Sequence, residues 1–502
     1  MPQLSVRPCR FQRSHSRRRR GGVAAVAFVL AAGLLSCGGA DRAPSATGAN
    51  VFVIVIDAAS AFYFGLYGDP FDTSPNFDRL ARESVVFDRA YSQSATTVPS
   101  TASLVTGVRV MTHQLDSSSV LPEAFPTVAE LFAEQGYRSF AFIGNPHAGA
   151  PELGLTRGYD TSELVYATKG QSLKTLPAWL PRLKRVQPAD MERSIAELLP
   201  EFGAGGTYAY FHYLQPHKPY DAPASYLRDD GDNCLCEGEP CACGDVPWDA
   251  IHDEFLKANE TGVATPSVIH HLEARYRANI RFVDEALASL LAMLRERGLY
   301  QDALIVVTSD HGDAFFGHQR FGHNRTLYDD MVRVPLLMKF PAGAGVLPRR
   351  IPALTETVDV IPTIFDFLGF PMSPGWEGES LWPLISEGGE VIAPAHREVI
   401  LATNRRDKQA IRVDDYKYIV SIEGPEELYD LKNDPGETRN LAQKSPLRVA
   451  ELRRRLRAGV SNARTEPARE ANDLRSDPEM NALLEALGYV EGPAPGRAEA
   501  ER

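Results

Sequence analysis

The chain is short of positive charge. It sets 53 lysines and arginines against 65 aspartates and glutamates, a formal net charge of −12. The first 36 residues hold no acid but seven arginines (Arg7, Arg10, Arg13, Arg17, Arg18, Arg19 and Arg20), so removing them takes the charge from −12 to −19. A body this acidic repels phosphate backbones, and no nucleic-acid partner is expected. An anionic substrate would have to be drawn in locally, by a metal and a few basic side chains. Cysteine is also scarce. Of six cysteines, Cys9 and Cys37 lie near the N-terminus and the other four crowd into Cys234-Leu235-Cys236 and Cys241-Ala242-Cys243. There is no internal repeat, which excludes solenoids and propellers. The rest of the composition is ordinary: 44% hydrophobic and 24% charged residues exclude global disorder, and 502 residues suffice for a large core.

Residues 1–36 read as a secretory signal peptide, with arginines followed by the apolar stretch Val23–Leu35, which is too short for a comfortable membrane span. The stretch ends Leu34-Leu35-Ser36-Cys37-Gly38-Gly39, which resembles a bacterial lipoprotein cleavage box. Cys37 is then expected to become the lipidated first residue. Residues 37–50 would be a linker from the membrane, and the protein would be exported to the cell envelope, in the periplasm or on the outer surface. An uncleaved anchor and ordinary signal cleavage are the alternatives. In that oxidising setting the insertion at 228–246 is expected to hold two disulfides, with a small structural zinc site as the alternative. Adjacent Cys-x-Cys bridges are strained, so pairing across the two halves is preferred.

From Val51 the pattern alternates strand and helix. Val51–Ile56, Ser139–Ile143, Tyr208–Leu214, Ala303–Val307 and Val334–Phe340 read as strands. Asn76–Ser84, a segment from Pro126 to near Gly136, His270–Arg297 and Ile361–Leu368 read as helices. Such alternation predicts an α/β fold: a mainly parallel sheet covered on both faces, over residues 51–387. Beyond that, Val399–Ala402, Ala410–Val413 and Tyr418–Ser421 predict a small antiparallel sheet closed by a helix at Leu447–Ala458, a C-terminal subdomain at 388–460. The tail, 461–502, is charged, with a short amphipathic turn at Met480–Leu487.

Open α/β sheets bind ligands at the carboxyl ends of their strands. Val51–Ile56 ends in Asp57, and Ala303–Val307 runs into Thr308-Ser309-Asp310-His311. Two strand ends thus offer Asp57, Asp310 and His311 to one cation. A hydroxyl, Thr97, lies two residues before Pro99, which is placed to start a helix. A nucleophile there faces unpaired N–H groups and the positive end of the helix dipole, which favour an alkoxide and an anionic substrate.

The segment Thr97-Val98-Pro99-Ser100-Thr101-Ala102-Ser103-Leu104-Val105-Thr106-Gly107 resembles the sulfatase signature Cys/Ser-x-Pro-Ser-Arg-x-x-x-Leu-Thr-Gly, within the alkaline phosphatase superfamily. The resemblance runs from Asn50 to Leu441. It includes Thr73-Ser74-Pro75-Asn76-Phe77-Asp78-Arg79-Leu80, Pro216-His217-Lys218-Pro219-Tyr220, Ser309-Asp310-His311-Gly312-Asp313, Gly322-His323 and Arg333-Val334-Pro335-Leu336-Leu337. It implies that Asp57, Thr97, Asp310 and His311 hold one divalent cation (Ca²⁺, Mn²⁺, Mg²⁺ or Zn²⁺). It also implies that His217 stands near the leaving-group oxygen as general acid, that His323 makes a cationic oxyanion contact, and that Lys218 binds the substrate, the three standing in for a second positive centre. Gly144-Asn145-Pro146-His147-Ala148-Gly149 echoes the family's Gly-Lys-Trp-His-Leu-Gly, which would make Asn145 and His147 substrate contacts.

The chain departs from the pattern at three positions. Thr97 stands where sulfatases convert Cys or Ser to formylglycine, and threonine cannot give that aldehyde, so no formylglycine is expected. Thr101 replaces the Arg of the signature, and Ala58 stands where many sulfatases carry a second acidic ligand. Threonine is the nucleophile in relatives that cleave or transfer phosphodiesters. The expectation is therefore a metal-dependent hydrolase of sulfate or phosphate esters, with phosphodiesters chemically favoured. A transferase of phosphoethanolamine- or phosphoglycerol-like headgroups and a catalytically inactive lipid-anchored binder of anionic glycans are the alternatives.

Overall fold

The structure is a computed structural model. It describes residues 48–165, 186–203, 205–228, 234–236, 239–241, 248–324, 326–386, 398–403, 407–422 and 424–461. The signal peptide, almost all of the linker, the tail with Met480–Leu487 and the side chains of the four clustered cysteines lie outside the described residues. The insertion contributes one antiparallel backbone ladder, in which Cys234 stands opposite Cys241.

Among the described residues, the central sheet has nine strands. They are β1 (Asn50–Ile56), β2 (Val85–Tyr91), β3 (Arg138–Ile143), β4 (Thr161–Leu164), β5 (Thr207–Tyr213), β6 (Ala303–Thr308), β7 (Arg333–Val334), β8 (Leu336–Lys339) and β9 (Arg349–Glu356). β4, β3, β5, β1 and β6 run parallel in that order, and β8 then pairs antiparallel with both β6 and β2. The expected single strand Val334–Phe340 is split into β7 and β8 by Pro335, which has no N–H to give a ladder. The carbonyl of Pro335 instead accepts from Thr308 Oγ1 at 2.9 Å.

β1 explains the two-layered core. Its seven residues are all buried, as a strand covered on both faces requires. Val51, Val53 and Val55 face one apolar cluster, with Val98, Ala102 and Val105 of α1 (Thr97–Thr106) and Ile361, Ile364 and Phe365 of the helix Val360–Leu368. Phe52, Ile54 and Ile56 face the other, against the helix Pro266–Glu296. That helix turns Leu272, Tyr276, Ile280, Val283, Leu287 and Leu291 inward at helical spacing. It begins earlier than the apolar period predicts because Thr265 caps it and Pro266 takes the first position. The helix expected from Pro126 starts instead at Val128, behind a capping box of Thr127 and Glu130.

The C-terminal sheet is an antiparallel meander of β10 (Glu398–Ala402), β11 (Lys408–Val413), β12 (Tyr416–Ser421) and β13 (Glu427–Asp430). One face packs on the helix Pro446–Ser461 through Val449, Leu452 and Leu456. The other meets the main domain through Val399, Leu401 and Ile419 against Tyr91 and Met331. Buried charges cross this seam: Lys417 Nζ lies 2.8 Å from Asp329 Oδ1 and 3.0 Å from Glu437 Oε1. Two carboxylates on one ammonium satisfy a charge that burial alone would not tolerate. The sheet class, helical layers and small antiparallel sheet agree with the fold predicted from sequence.

Candidate active site

β5 and β6 flank β1, and all three run parallel, so their carboxyl ends open on one edge. Asp57 leaves β1 and continues the face of Val51, Val53 and Val55. On β5, Tyr208 and Tyr210 point to that same face, and two residues on comes His212, opposite Val55. Asp310 and His311 follow β6. α1 packs on this face of the sheet, and its N-terminal residue, Thr97, therefore sits over the three strand ends.

Half of each carboxylate is held by protein. Asp310 Oδ1 accepts from the N–H of Ala58 at 3.0 Å and of His311 at 2.9 Å. Asp57 Oδ2 accepts from Asn145 Nδ2 and stands 3.3 Å from His212 Nε2. The other two oxygens, Asp57 Oδ1 and Asp310 Oδ2, are buried without a hydrogen-bond partner. Leaving a buried acceptor unpaired costs about 1–3 kcal/mol, more if it is charged. His311 Nε2 lies 3.9 Å from the first of these oxygens and 3.6 Å from the second, and Thr97 Oγ1 lies 3.2 Å from the same nitrogen. These separations suit donors arranged around one ion with bonds of roughly 2.0–2.5 Å.

The orientation of His311 is fixed from behind. Its Nδ1 is 2.9 Å from the carbonyl of Gly312, which can only accept, so Nδ1 carries the proton and neutral Nε2 offers its lone pair to the two carboxylates. Gly312 has to be glycine: a Cβ there would run into the Asp330 carbonyl and come within 2.9 Å of Ser60 Cβ. Burial, then the adjacent Asp310 charge, push the Asp57 carboxyl up to about 6. Burial pulls the His311 imidazole down, but Asp310 and Asp57 outweigh it and raise its pKa. A divalent ion would relieve both effects.

More imidazoles stand beside this group. The His323 ring centroid is 4.4 Å from that of His311 and 4.9 Å from that of His217. His323 Nδ1 is 2.5 Å from Asp313 Oδ1, while Asp313 Oδ2 accepts from the Tyr220 hydroxyl at 2.7 Å. His217 Nδ1 donates to the Lys218 carbonyl at 2.7 Å, so in its neutral form Nε2 carries no proton. Burial holds His217 and His323 well below the ordinary histidine range, with each further lowered by neighbouring positive or imidazole groups. Burial alone lowers His147 to about 3.

The structure thus brings Asp57, Thr97, Asp310 and His311 into one group, with His217 and His323 next to it. Asn145 is committed to Asp57, and its Oδ1 accepts the His147 N–H at 2.8 Å. Lys218 is half-buried, with its ammonium 5.4 Å from the centre of the Phe255 ring. Acting as an acid, His217 would have to carry a second proton against its burial. Asp313, Tyr220 and His212 were not among the site residues expected from the sequence. The signal for His212 was present in the period-two run Tyr208, Tyr210, His212 on a strand that pairs with β1.

Fold and site together define an α/β ester hydrolase with a candidate cation site. The Sulfatase family model matches residues 49–370, and the model for the C-terminal part of N-sulphoglucosamine sulphohydrolase matches residues 317–466. The chain belongs to the sulfatase family, in the alkaline phosphatase superfamily. It is 26% identical to a Delta 4,5-hexuronate-2-O-sulfatase of Bacteroides thetaiotaomicron, over 93% of this chain and 99% of that one. Its fold matches the phosphonate monoester hydrolase of Agrobacterium radiobacter at a TM-score of 0.64 and 22% identity, covering 82% of this chain and 96% of that one. It also matches a protein solved with its substrate D-glucosamine-2-N,6-O-disulfate, at a TM-score of 0.64 and 18% identity, over 84% and 100% of the two chains.

Proposed function

We propose that the protein is an exported, metal-dependent hydrolase of sulfate or phosphate esters in which Thr97 is the nucleophile, with phosphodiesters chemically favoured. The observation that carries this reading is the pair of buried, unpartnered oxygens, Asp57 Oδ1 and Asp310 Oδ2, beside Thr97 Oγ1 and His311 Nε2. Asp57, Asp310, His311 and Thr97 would hold the ion. When bound, it would lower the pKa of the Thr97 hydroxyl and neutralise a nonbridging oxygen of the ester.

The remaining chemistry falls to side chains. Thr97 Oγ1 attacks phosphorus or sulfur, the ester oxygen of the leaving group departs, and a covalent threonine ester forms. The hydroxyl proton passes to an unprotonated imidazole Nε2, of His323 or His217, and from there to the departing oxygen. Water then attacks the covalent ester, its proton is taken by the same imidazole, and Thr97 recovers its hydrogen. Asp313 steadies the imidazolium of His323 throughout. Because threonine cannot yield the aldehyde, the intermediate is an ordinary ester, resolved by attack of an external nucleophile, here water. Sulfate esters stay within the proposal because of the relatives' substrates, and phosphodiesters because of the threonine. The arginine-rich leader and the cysteine at 37 support export and a lipid anchor.

The test is turnover by the full chain on an aryl sulfate, an aryl phosphate monoester and a bis-aryl phosphodiester, beside Thr97→Ala and Asp310→Asn. Phosphodiester turnover that vanishes in both variants is the expected result. Sulfate turnover that survives Thr97→Ala would overturn the role given to Thr97.

A further inference from the structure

Among the described residues, few side-chain oxygens face the cation site. Asp57 Oδ1, Asp310 Oδ2 and Thr97 Oγ1 are the oxygens that face it, and position 58, next to Asp57, offers only a methyl group. The backbone there is already in use. Ala58 has a φ of 56°, a left-handed turn costly for a residue with a Cβ, and that turn aims its N–H at Asp310 Oδ1 and its carbonyl at the Tyr276 hydroxyl, 2.6 Å away. From the neighbouring strand, His212 reaches both carboxylates. Its side chain is fully buried, and its Nε2 lies 3.3 Å from Asp57 Oδ2 and 4.0 Å from Asp310 Oδ2. Asp57, His212 and Asp310 form a compact set of candidate ligand atoms, all within 4.8 Å of one another.

We infer that His212 is a further ligand of the cation bound by Asp57, Asp310, His311 and Thr97, and that the resulting set of two imidazoles and two carboxylates selects a zinc-like transition ion over calcium. The inference rests on the cation reading above. Two observations carry it beyond that reading. The first is the far side of the ring. His212 Nδ1 is 2.9 Å from the Tyr210 hydroxyl, a group that can donate or accept. Without the ion, Tyr210 donates to Nδ1 and His212 donates Nε2–H to Asp57. With the ion, the hydroxyl turns to accept Nδ1–H, and the Nε2 lone pair is freed for the metal. Metal-bound histidines characteristically give their second N–H to such a partner. His311 is built the same way, on Gly312.

The second observation is the donor count. Calcium takes about 6–8 oxygens, whereas imidazole nitrogen suits zinc and its neighbours. Calcium would have to find most of its shell as water, among side chains that are almost wholly buried. Two carboxylates and two neutral imidazoles, by contrast, balance the charge of a divalent ion and need no further acid at 58.

The test uses the full chain stripped of metal and reloaded with Co²⁺, which reports on its ligands. In the proton NMR spectrum, the exchangeable N–H of each coordinated imidazole is strongly shifted by the paramagnetic ion. Two such signals are expected in the wild type and one in His212→Ala. Competition between Zn²⁺ and Ca²⁺, read as bound metal by elemental analysis, should favour zinc at least about 100-fold in the wild type, and by at least tenfold less in the variant. A single shifted signal in the wild type needs no variant to interpret and would overturn the inference, as would calcium retained against equimolar zinc. Two signals in a chain that hydrolyses no ester would sink the proposed function and leave this inference standing. Ester turnover with calcium and one signal would do the reverse.

Discussion

Replacing Asp313 by Asn is the sharpest probe of the imidazole cluster, because it changes one charge and almost no volume. The carboxylate holds His323 Nδ1 at 2.5 Å and the Tyr220 hydroxyl at 2.7 Å, out of contact with solvent. The Tyr220 hydroxyl can rotate and accept from the new amide. The imidazole has no such freedom: either it keeps a neutral oxygen as partner, or it moves its proton to Nε2 and turns an N–H toward the reacting oxygens. In both cases the positive ring formed during proton transfer loses its counter-charge. A hydrogen bond to a charged group is worth about 1.5–3 kcal/mol, which at about 1.4 kcal/mol per decade is a fall of roughly 10–150-fold in kcat. KM should change little, since the ring is neutral in the resting enzyme. The assay is steady-state turnover of the best ester from the panel above, with the melting temperature recorded beside it. Tyr220→Phe is the control, removing the second partner but keeping the charge, and should cost much less. A kcat for Asp313→Asn within about threefold of wild type, with the fold intact, would refute the idea that His323 gains a charge in the rate-limiting step.

Further outcomes follow from the same geometry. Gly312→Ala forces a methyl against the Asp330 carbonyl and the Ser60 Cβ, and should lower stability by about 1–3 kcal/mol in urea unfolding while weakening metal uptake through His311. Lys417→Met leaves the buried Glu437 without its ammonium and Asp329 with the Arg412 guanidinium 3.4 Å away, and should cost about 3–5 kcal/mol by the same measurement. The Asp57 carboxyl, raised to about 6, must lose its proton to bind metal, so metal uptake should fall as pH drops through about 6. In the metal-free protein the sign is opposite. A carboxyl raised on folding favours the folded state while protonated, and that stability is lost as pH rises from about 4 through about 6. Melting temperatures of wild type and Asp57→Asn should therefore diverge with rising pH, and added metal should restore only the wild type.

The parts of the site carried by strand ends were legible in the sequence. An apolar run closing on an acid fixes both a strand and the edge on which it opens, and Asp57 and Asp310-His311 obeyed that rule. Thr97 was legible because Pro99 and the hydroxyls around it mark a helix start. What could not be read were the partners supplied across the sheet. His212 acquires its place only when β5 is known to lie beside β1 in a register that sets Val55 against His212. Asp313 needs the turn after His311 to fold back under His323, and Tyr220 needs the loop after β5. These are long-range pairings, which local periodicity does not encode. The split of β7 from β8 was readable in principle from Pro335, and the run of apolar residues around it concealed the break.

The parallel register of β5, β1 and β6 has a consequence for how the chain finds its fold. Side chains alternate from one face of a strand to the other, so a slip of β5 by a single residue would turn His212 away from Asp57 and bring Phe211 or Tyr213 to that edge. A slip of β6 would separate Asp310 from the Ala58 N–H that holds it. The native pairing alone assembles both carboxylates and the imidazoles at one point. An ion that binds only this arrangement would act during folding as an inspector of strand alignment, rewarding the correct register and leaving every shifted one unliganded.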